Sequence, residues 1–234
     1  MNIQKYRSKP LSWWLQTPLY AWRLWREPHG RHLWKAHGVI HVGANEGQER
    51  DFYSRYNLNV VWIEPIPEVF QILQGNIGAL PSQQAFQCLI TDKDDGEYTF
   101  HVSDNGGASS SIFDMALHRE MFPEVDYERE VKLRSTTLDS LVREKNIDLK
   151  KHKALVLDTQ GSEMLVLQGA ETTLKSIDYL KIEVADFECY AGGCQAKDVD
   201  DFLQKRGFAL LSKDAFMQQQ GIGACYDVSY RRVR

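Results

Sequence analysis

Five side chains and one turn in this sequence have the types and spacing to do chemistry. Glu64, Asp158 and Glu183 are acids that follow or close short apolar runs, "NVVWIEP" (59–65), "KALVLD" (153–158) and "DYLKIEV" (178–184). An acid at a strand end can accept hydrogen bonds from ligand hydroxyls or take a proton from one. His41 stands inside the apolar run "GVIHV" (38–42), and His118 follows a polar loop, "SDNGGASSS" (103–111). The turn is "GANEG" (43–47), directly behind the first apolar run. Its small residues let the backbone come close to a ligand, and a helix start after it would favour negative charge.

Strands must position these groups. Apolar runs alternate with helical patterns. "NEGQERDFYSRY" (45–56), "PEVFQILQGNI" (67–77), "TLDSLVREKN" (137–146), "SEMLVLQGAETTL" (162–174) and "DVDDFLQKRGF" (198–208) read as helices. Between them, "AFQCLI" (85–90) reads as a third strand, "FALL" (208–211) as a sixth and "ACYDVSY" (224–230) as a closing one. "GEYTFHV" (96–102) and "EREVKLRSTTL" (128–138) read as an added antiparallel pair. Alternation of this kind predicts an α/β fold, an open and mostly parallel doubly wound sheet with helices on both faces. Ligands then bind outside the carboxyl ends of the strands, where the strand order reverses.

Glu64 lies about 20 residues past Gly43, the distance at which an acid meets the ribose hydroxyls of a nucleoside cofactor. A nicotinamide dinucleotide and S-adenosylmethionine both use this layout. The dinucleotide turn needs a second glycine beside the pyrophosphate, and Asn45 occupies that position. The turn therefore suits a cofactor with an amino-acid tail, and the methyl donor is the preferred reading. A nicotinamide-dependent oxidoreductase and a catalytically inactive binding module are the alternatives.

Composition narrows the partners. A chain of 234 residues with 43% hydrophobic and 26% charged content is an ordinary globular protein. A net charge of -4 offers nucleic acid no general attraction. Cys88, Cys189, Cys194 and Cys225 are scattered, as in a reducing, cytoplasmic protein. No metal site is read, because Asp158 and Glu183 lie on separate strands. The first 37 residues form a separate basic segment. Lys5, Arg7, Lys9, Arg23, Arg26, Arg31 and Lys35 face Glu27 alone, among Trp13, Trp14, Trp22, Trp25 and Trp34. Residues 13–34 read as a packing or homodimer contact, with peripheral binding to an anionic membrane as the alternative. Residues 38–234 form the main domain.

The motifs also occur together in a known order. "HVGANEGQE", "VWIEPIPEVFQIL", "DKDDGEYTFHV", "ASSSIF", "TTLDSL", "LVLDTQGSEMLVLQGA" and "LKIEV" resemble the FkbM-type S-adenosylmethionine-dependent methyltransferases over residues 38–212. The family's commonest pattern has Asp where this chain has His41. A subgroup reads H-x-G-A with a following Q-E pair, here Gln48 and Glu49. The resemblance implies a class I methyltransferase sheet of seven strands with the last antiparallel. It implies an O-methyltransferase acting on the hydroxyl of a sugar, glycan, glycolipid or natural product, with S-adenosyl-L-methionine as cofactor. His41, Gly43, Ala44, Asn45, Gly47 and Glu49 would lie at the donor's methionine and ribose. Glu64 would hold the ribose hydroxyls, and Thr91 and Asp92 would flank the adenine. Asp158 would face the sulfonium.

A hydroxyl needs a base within hydrogen-bond reach to become a nucleophile. Asp158 is the first candidate and Glu183 the second. His118, Glu163 and His41 follow, although a histidine inside a strand is more often a packed, hydrogen-bonded one. After the fourth strand stands "DTQG" (158–161), not the N-P-P-Y type motif that nitrogen methyltransferases use to stack a flipped base. This, too, speaks against a nucleic-acid acceptor.

Overall fold

The computed structural model describes residues 30–233. Most of the tryptophan-rich segment, and with it the membrane and dimer expectations, lies outside the described residues. Its end does not stand apart from the domain. The short helix α1 (Gly30–Leu33) runs into a 3-10 turn (Trp34–Ala36). Leu33 and Ala36 are buried in the core, and His32 stacks on Tyr179 at 6.2 Å. Among the described residues, no helix is long and apolar enough to cross a membrane.

The chain continues through β1 (Gly38–Val42), α2 (Arg50–Arg55), β2 (Asn59–Ile63), α3 (Pro67–Ile77), β3 (Gln83–Phe86), β4 (Leu89–Ile90) and β5 (Glu97–Ser103). Then come α4 (His118–Met121), β6 (Tyr127–Thr136), α5 (Leu138–Glu144), β7 (Ala154–Leu157), α6 (Glu163–Gln168) and α7 (Glu171–Leu174). The chain closes with β8 (Tyr179–Ala185), α8 (Ala196–Gln204), β9 (Phe208–Gln219) and β10 (Gly223–Arg232).

Seven strands form one sheet in the order β3-β2-β1-β7-β8-β10-β9. All pairings are parallel except those of β10, which runs antiparallel to both β8 and β9. Every residue of β1 and of β7 is buried, as central parallel strands covered on both faces must be. Alternate side chains feed two cores. Ile40, Val42, Val61 and Ile63 pack with helices α5 to α8 on one face. Val39, Val60 and Trp62 pack with Tyr53 of α2 and Phe70, Leu73 and Ile77 of α3 on the other. Pro67 opens α3 at a first-turn position. The Thr137 hydroxyl caps α5 by accepting from the Ser140 N–H at 3.1 Å.

Four elements differ from the sequence reading, each for a local reason. The helix expected over 45–56 begins only at Arg50, because Asn45 and Gly47 hold positive φ angles of 44° and 73°. The strand expected over 85–90 is two strands, for Gln83–Phe86 pairs with β2 while Leu89–Ile90 crosses to a small sheet, β4-β6-β5. The helix expected over 162–174 breaks after Gln168, where a Cβ on Gly169 would stand 2.1 Å from the Thr91 carbonyl. The sixth strand runs on to Gln219, paired with β10 as a long hairpin.

Candidate active site

The register of the sheet sets the site. Val42 pairs with Ile63 on one side and with Leu157 on the other, and Leu157 pairs with Ile182. The next residue on each strand is therefore level with its neighbours. Glu64, Gly43, Asp158 and Glu183 form one row across β2, β1, β7 and β8. The row sits at the carboxyl ends, where the order turns from β1-β2-β3 to β7-β8.

The turn after β1 is self-satisfied. The N–H groups of Gly43 and Ala44 both donate to the Ile63 carbonyl at 3.0 Å, and that of Gly47 to Ala44 at 2.9 Å. Asn45 N–H donates to Glu64 Oε2 at 2.9 Å, and Glu46 N–H to Asn45 Oδ1 at 2.8 Å. All five N–H groups of the turn, residues 43–47, thus have partners within the protein. Gly43 serves packing. It holds φ at 81°, and a Cβ there would stand 1.7 Å from the Asp158 carbonyl. Gly47 packs on Leu73 of α3 in the same way.

Glu64 is buried and its second oxygen accepts from the Ile66 N–H at 2.9 Å. Burial pushes its carboxyl up to about 7, opposed by the two N–H groups and reinforced by the Asp158 charge. His41 is also buried, stacked on Trp62 at 5.1 Å, with Nδ1 3.2 Å from the Tyr53 hydroxyl and 3.9 Å from Glu49 Oε2. Burial holds its pKa below the usual histidine value.

These residues line a cleft of about 860 Å³. His41, Gly43, Ala44, Asn45, Glu49, Glu64 and Asp158 are in its wall. Thr91, Asp92 and Gly47 are not; Cys88, Leu89 and Ile90, just before Thr91, take the place expected for Thr91 and Asp92. Thr91 is buried, with its hydroxyl donating to the Lys93 carbonyl. The roof is the polar loop after β5. Gly107, Ala108 and Ser110 line the cleft, and Asn45 Nδ2 donates to the Gly106 carbonyl at 3.2 Å. Ser103, Ser109, Ser110 and Ser111 are buried and largely bonded to each other and to Asn105, so this loop is a built wall.

Behind Asp158 the chain makes a strained turn. Gln160 holds a φ of 53° and Gly161 one of 100°. Glu163, buried, accepts from the N–H groups of Thr159 and Gly161, from the Thr159 hydroxyl and from the Cys194 thiol. With four donors on it, Glu163 organises the turn and is not free as a base. Gln160 Nε2 donates to Asp158 Oδ1 at 2.5 Å and lies 3.4 Å from Glu183 Oε1. Gln160 Oε1 accepts from the Tyr190 hydroxyl at 2.6 Å, and the Ser111 hydroxyl donates to the Gln160 carbonyl at 2.7 Å. The Gln160 amide thus joins the two strand-end carboxylates. Burial raises the pKa of both. For Asp158 the charges of Glu163 and Glu49 add to it, and for Glu183 those of Asp158 and Asp227.

A second cavity, about 1400 Å³, adjoins the cleft. Ala108, Asp158 and Gln160 line both spaces. Glu183 and His118 line the second one. So the row splits: Glu64 and Gly43 belong to the cleft, Glu183 to the cavity, and Asp158 stands between. Gln160 and Tyr190 had no part in the sequence reading. The only local sign of Gln160 was its place between a strand-end acid and a glycine.

The strand order, with its antiparallel β10, is that of class I methyltransferases. No curated protein matches the chain. Among solved structures, an uncharacterized protein from Listeria monocytogenes serotype 4b aligns with a TM-score of 0.52 at 9% identity, over 89% of this chain and 66% of that one. The chain thus spans just under two thirds of that relative. A magnesium protoporphyrin IX methyltransferase from Synechocystis PCC 6803 with bound S-adenosylmethionine aligns at 0.47 and 10% identity, covering 93% and 79%. An rRNA methylase from Streptococcus thermophilus aligns at 0.48 and 13% identity, covering 88% and 94%. Residues 41–210 match the model of the methyltransferase FkbM domain, and with that much of its length matched the chain belongs to this family of S-adenosylmethionine-dependent methyltransferases.

Proposed function

We propose that the protein transfers the methyl group to a hydroxyl of a sugar-like acceptor, with the donor in the cleft and the acceptor in the cavity. The observation that carries this reading is the wall the two spaces share at Asp158 and Gln160. When bound, the donor supplies a methyl group made electrophilic by its sulfonium. Glu64 accepts the ribose hydroxyls on the lone pairs left free by the Asn45 and Ile66 N–H groups. His41, Asn45 and Glu49 border the amino-acid tail. Ile66 and Ile90 offer apolar surface to the adenine.

Asp158 does the acid–base work. Gln160 fixes Oδ1, which leaves Oδ2 to accept the proton of the acceptor hydroxyl; the donor would give up its methyl group to that hydroxyl's oxygen with breakage of the C–S bond and its thioether as leaving group. The raised pKa of Asp158 is matched to taking that proton near neutral pH. Glu183 stands on the other side of Gln160 and holds the acceptor. The loop of Ser109–Ser111, tied to Gln160 and Tyr190, keeps water from the shared wall.

The test is a panel of sugars, amino sugars and polyols incubated with isotopically labelled donor and the full chain, read by mass spectrometry. A labelled methyl ether supports the reading. Label found on nitrogen, or on nucleic acid offered in the same panel, contradicts it.

A further inference from the structure

The acceptor cavity is one-sided in charge. Asp104 after β5, Glu124 after α4 and Glu183 of β8 line it together with Asp158, and among the described residues no lysine or arginine lines it. Asp158 lines the cleft assigned above to the sulfonium donor. Glu183, one strand over, has the Gln160 amide at 3.4 Å and no cation in the cavity wall. The lysine on its own strand, Lys181, pairs with Asp227 at 3.1 Å. With four carboxyl groups in the wall and Lys181 paired with Asp227, the cavity favours a bound cation over an anion, and such a cation would hold Glu183 in its ionised form.

A second observation points to a ligand in the same space. His118 is 2% exposed, lines the cavity, and its Nδ1 has no hydrogen-bond partner. Its ring is held between Phe122 and Tyr190, with centroids 5.0 and 5.2 Å away. Nδ1 is closed off from solvent, so a small rotation of the ring would let a ligand hydroxyl or N–H in the cavity satisfy it. Phe122, Tyr190 and Phe216 add aromatic faces to the wall, suited to the apolar face of a sugar ring and to a cation above it.

We infer that the acceptor carries a protonated amine close to the hydroxyl that is methylated, so that it is an amino sugar or a related amino alcohol. Glu183 pairs with the ammonium, His118 Nδ1 meets a neighbouring hydroxyl, and Asp158 receives the proton from the reacting one. This rests on the reading that the cavity receives the acceptor.

The experiment is saturation-transfer NMR on the full chain with S-adenosylhomocysteine bound, using glucosamine, glucose and glucose 6-phosphate as probes. Glucosamine should bind about tenfold more tightly than glucose, and the phosphate should not bind. Glu183→Gln should bring glucosamine to within a few-fold of glucose. Should that variant not fold, Glu124→Gln gives a smaller loss of the same preference. Equal binding of glucose and glucosamine, binding of the phosphate, or no saturable binding of glucosamine overturns the inference. Failure of S-adenosylhomocysteine itself to bind is a separate result, which would sink the reading of the cleft.

Discussion

The cleft proposed for the donor and the cavity proposed for the acceptor share a wall and are built in opposite ways. The floor of the cleft comes from nearly contiguous chain, one strand, one turn and the acid at the end of the next strand, with the loop after β5 as its roof. Its polar groups are already paired, since the turn N–H groups bond to Ile63, Ala44, Asn45 and Glu64. The cavity is assembled from distant segments around Asp104, His118, Glu183, Tyr190 and Phe216. There Glu183 has only a long contact to Gln160, and His118 Nδ1 has none. A site for a fixed cofactor can be finished before the ligand arrives. A site that selects an acceptor keeps polar atoms in reserve, because unpaired groups reject a ligand that fails to satisfy them.

Substitutions can break this contrast. Asp158→Asn, at the shared wall, has the largest expected effect. It should slow methyl transfer by about 10²–10⁴-fold while leaving donor affinity within a few-fold. Single-turnover kinetics on donor-saturated enzyme measures this, and a near-normal rate would move the base to Glu183 or His118. Next is Gly43→Ala. A side chain there must displace the Asp158 carbonyl and hold a positive φ, at a cost of about 3 kcal/mol or more. Urea denaturation reads it, and an unchanged midpoint would show that the strand ends are not packed as described.

The smallest effect is the pH dependence of the unliganded protein. The carboxyl of Glu64 is raised from 4.5 to about 7 in the folded state. Its contribution to stability is therefore complete below 4.5 and is lost as pH rises through about 7. Asp158 and Glu183, shifted the same way, act in the same direction. Relative to Glu64→Gln, the melting temperature of the wild type should fall by a few degrees over that window, whereas the buried histidines His41, His118 and His152, whose pKa values are lowered, act oppositely in both proteins. The same pH dependence in wild type and Glu64→Gln would contradict the burial of this acid in the row.

Much of the cleft was legible in the sequence because its signals are local. Strand ends fall where apolar runs stop, so Glu64, Asp158 and Glu183 could be put at the rim before their register was known. Gly43 could be singled out, but its reason could not. The carbonyl it must clear is more than a hundred residues away in sequence. Thr91 and Asp92 were expected at the adenine from the family resemblance, just past a strand read as unbroken over 85–90. The crossing at Gln87 and Cys88 puts Leu89 and Ile90 at the cleft and Thr91 behind them. The cavity was less legible for the same physical reason. Gln160 matters because Tyr190 and Ser111 fix its orientation, and no spacing in the sequence encodes that meeting. His118 could be named from its place after the polar loop, whereas its burial between Phe122 and Tyr190 required the fold.

The central claim is that the cleft beside Glu64 holds the donor and the cavity beyond Asp158 does not. Calorimetric titration of S-adenosylhomocysteine into the full-length wild type, Glu64→Ala and Asp158→Asn tests it most directly. Loss of the ribose contact should weaken binding by about 1.5–3 kcal/mol in Glu64→Ala, the scale of a hydrogen bond to a charged group. Asp158→Asn should bind within a few-fold of wild type. A folded Glu64→Ala protein with unchanged affinity would contradict the account.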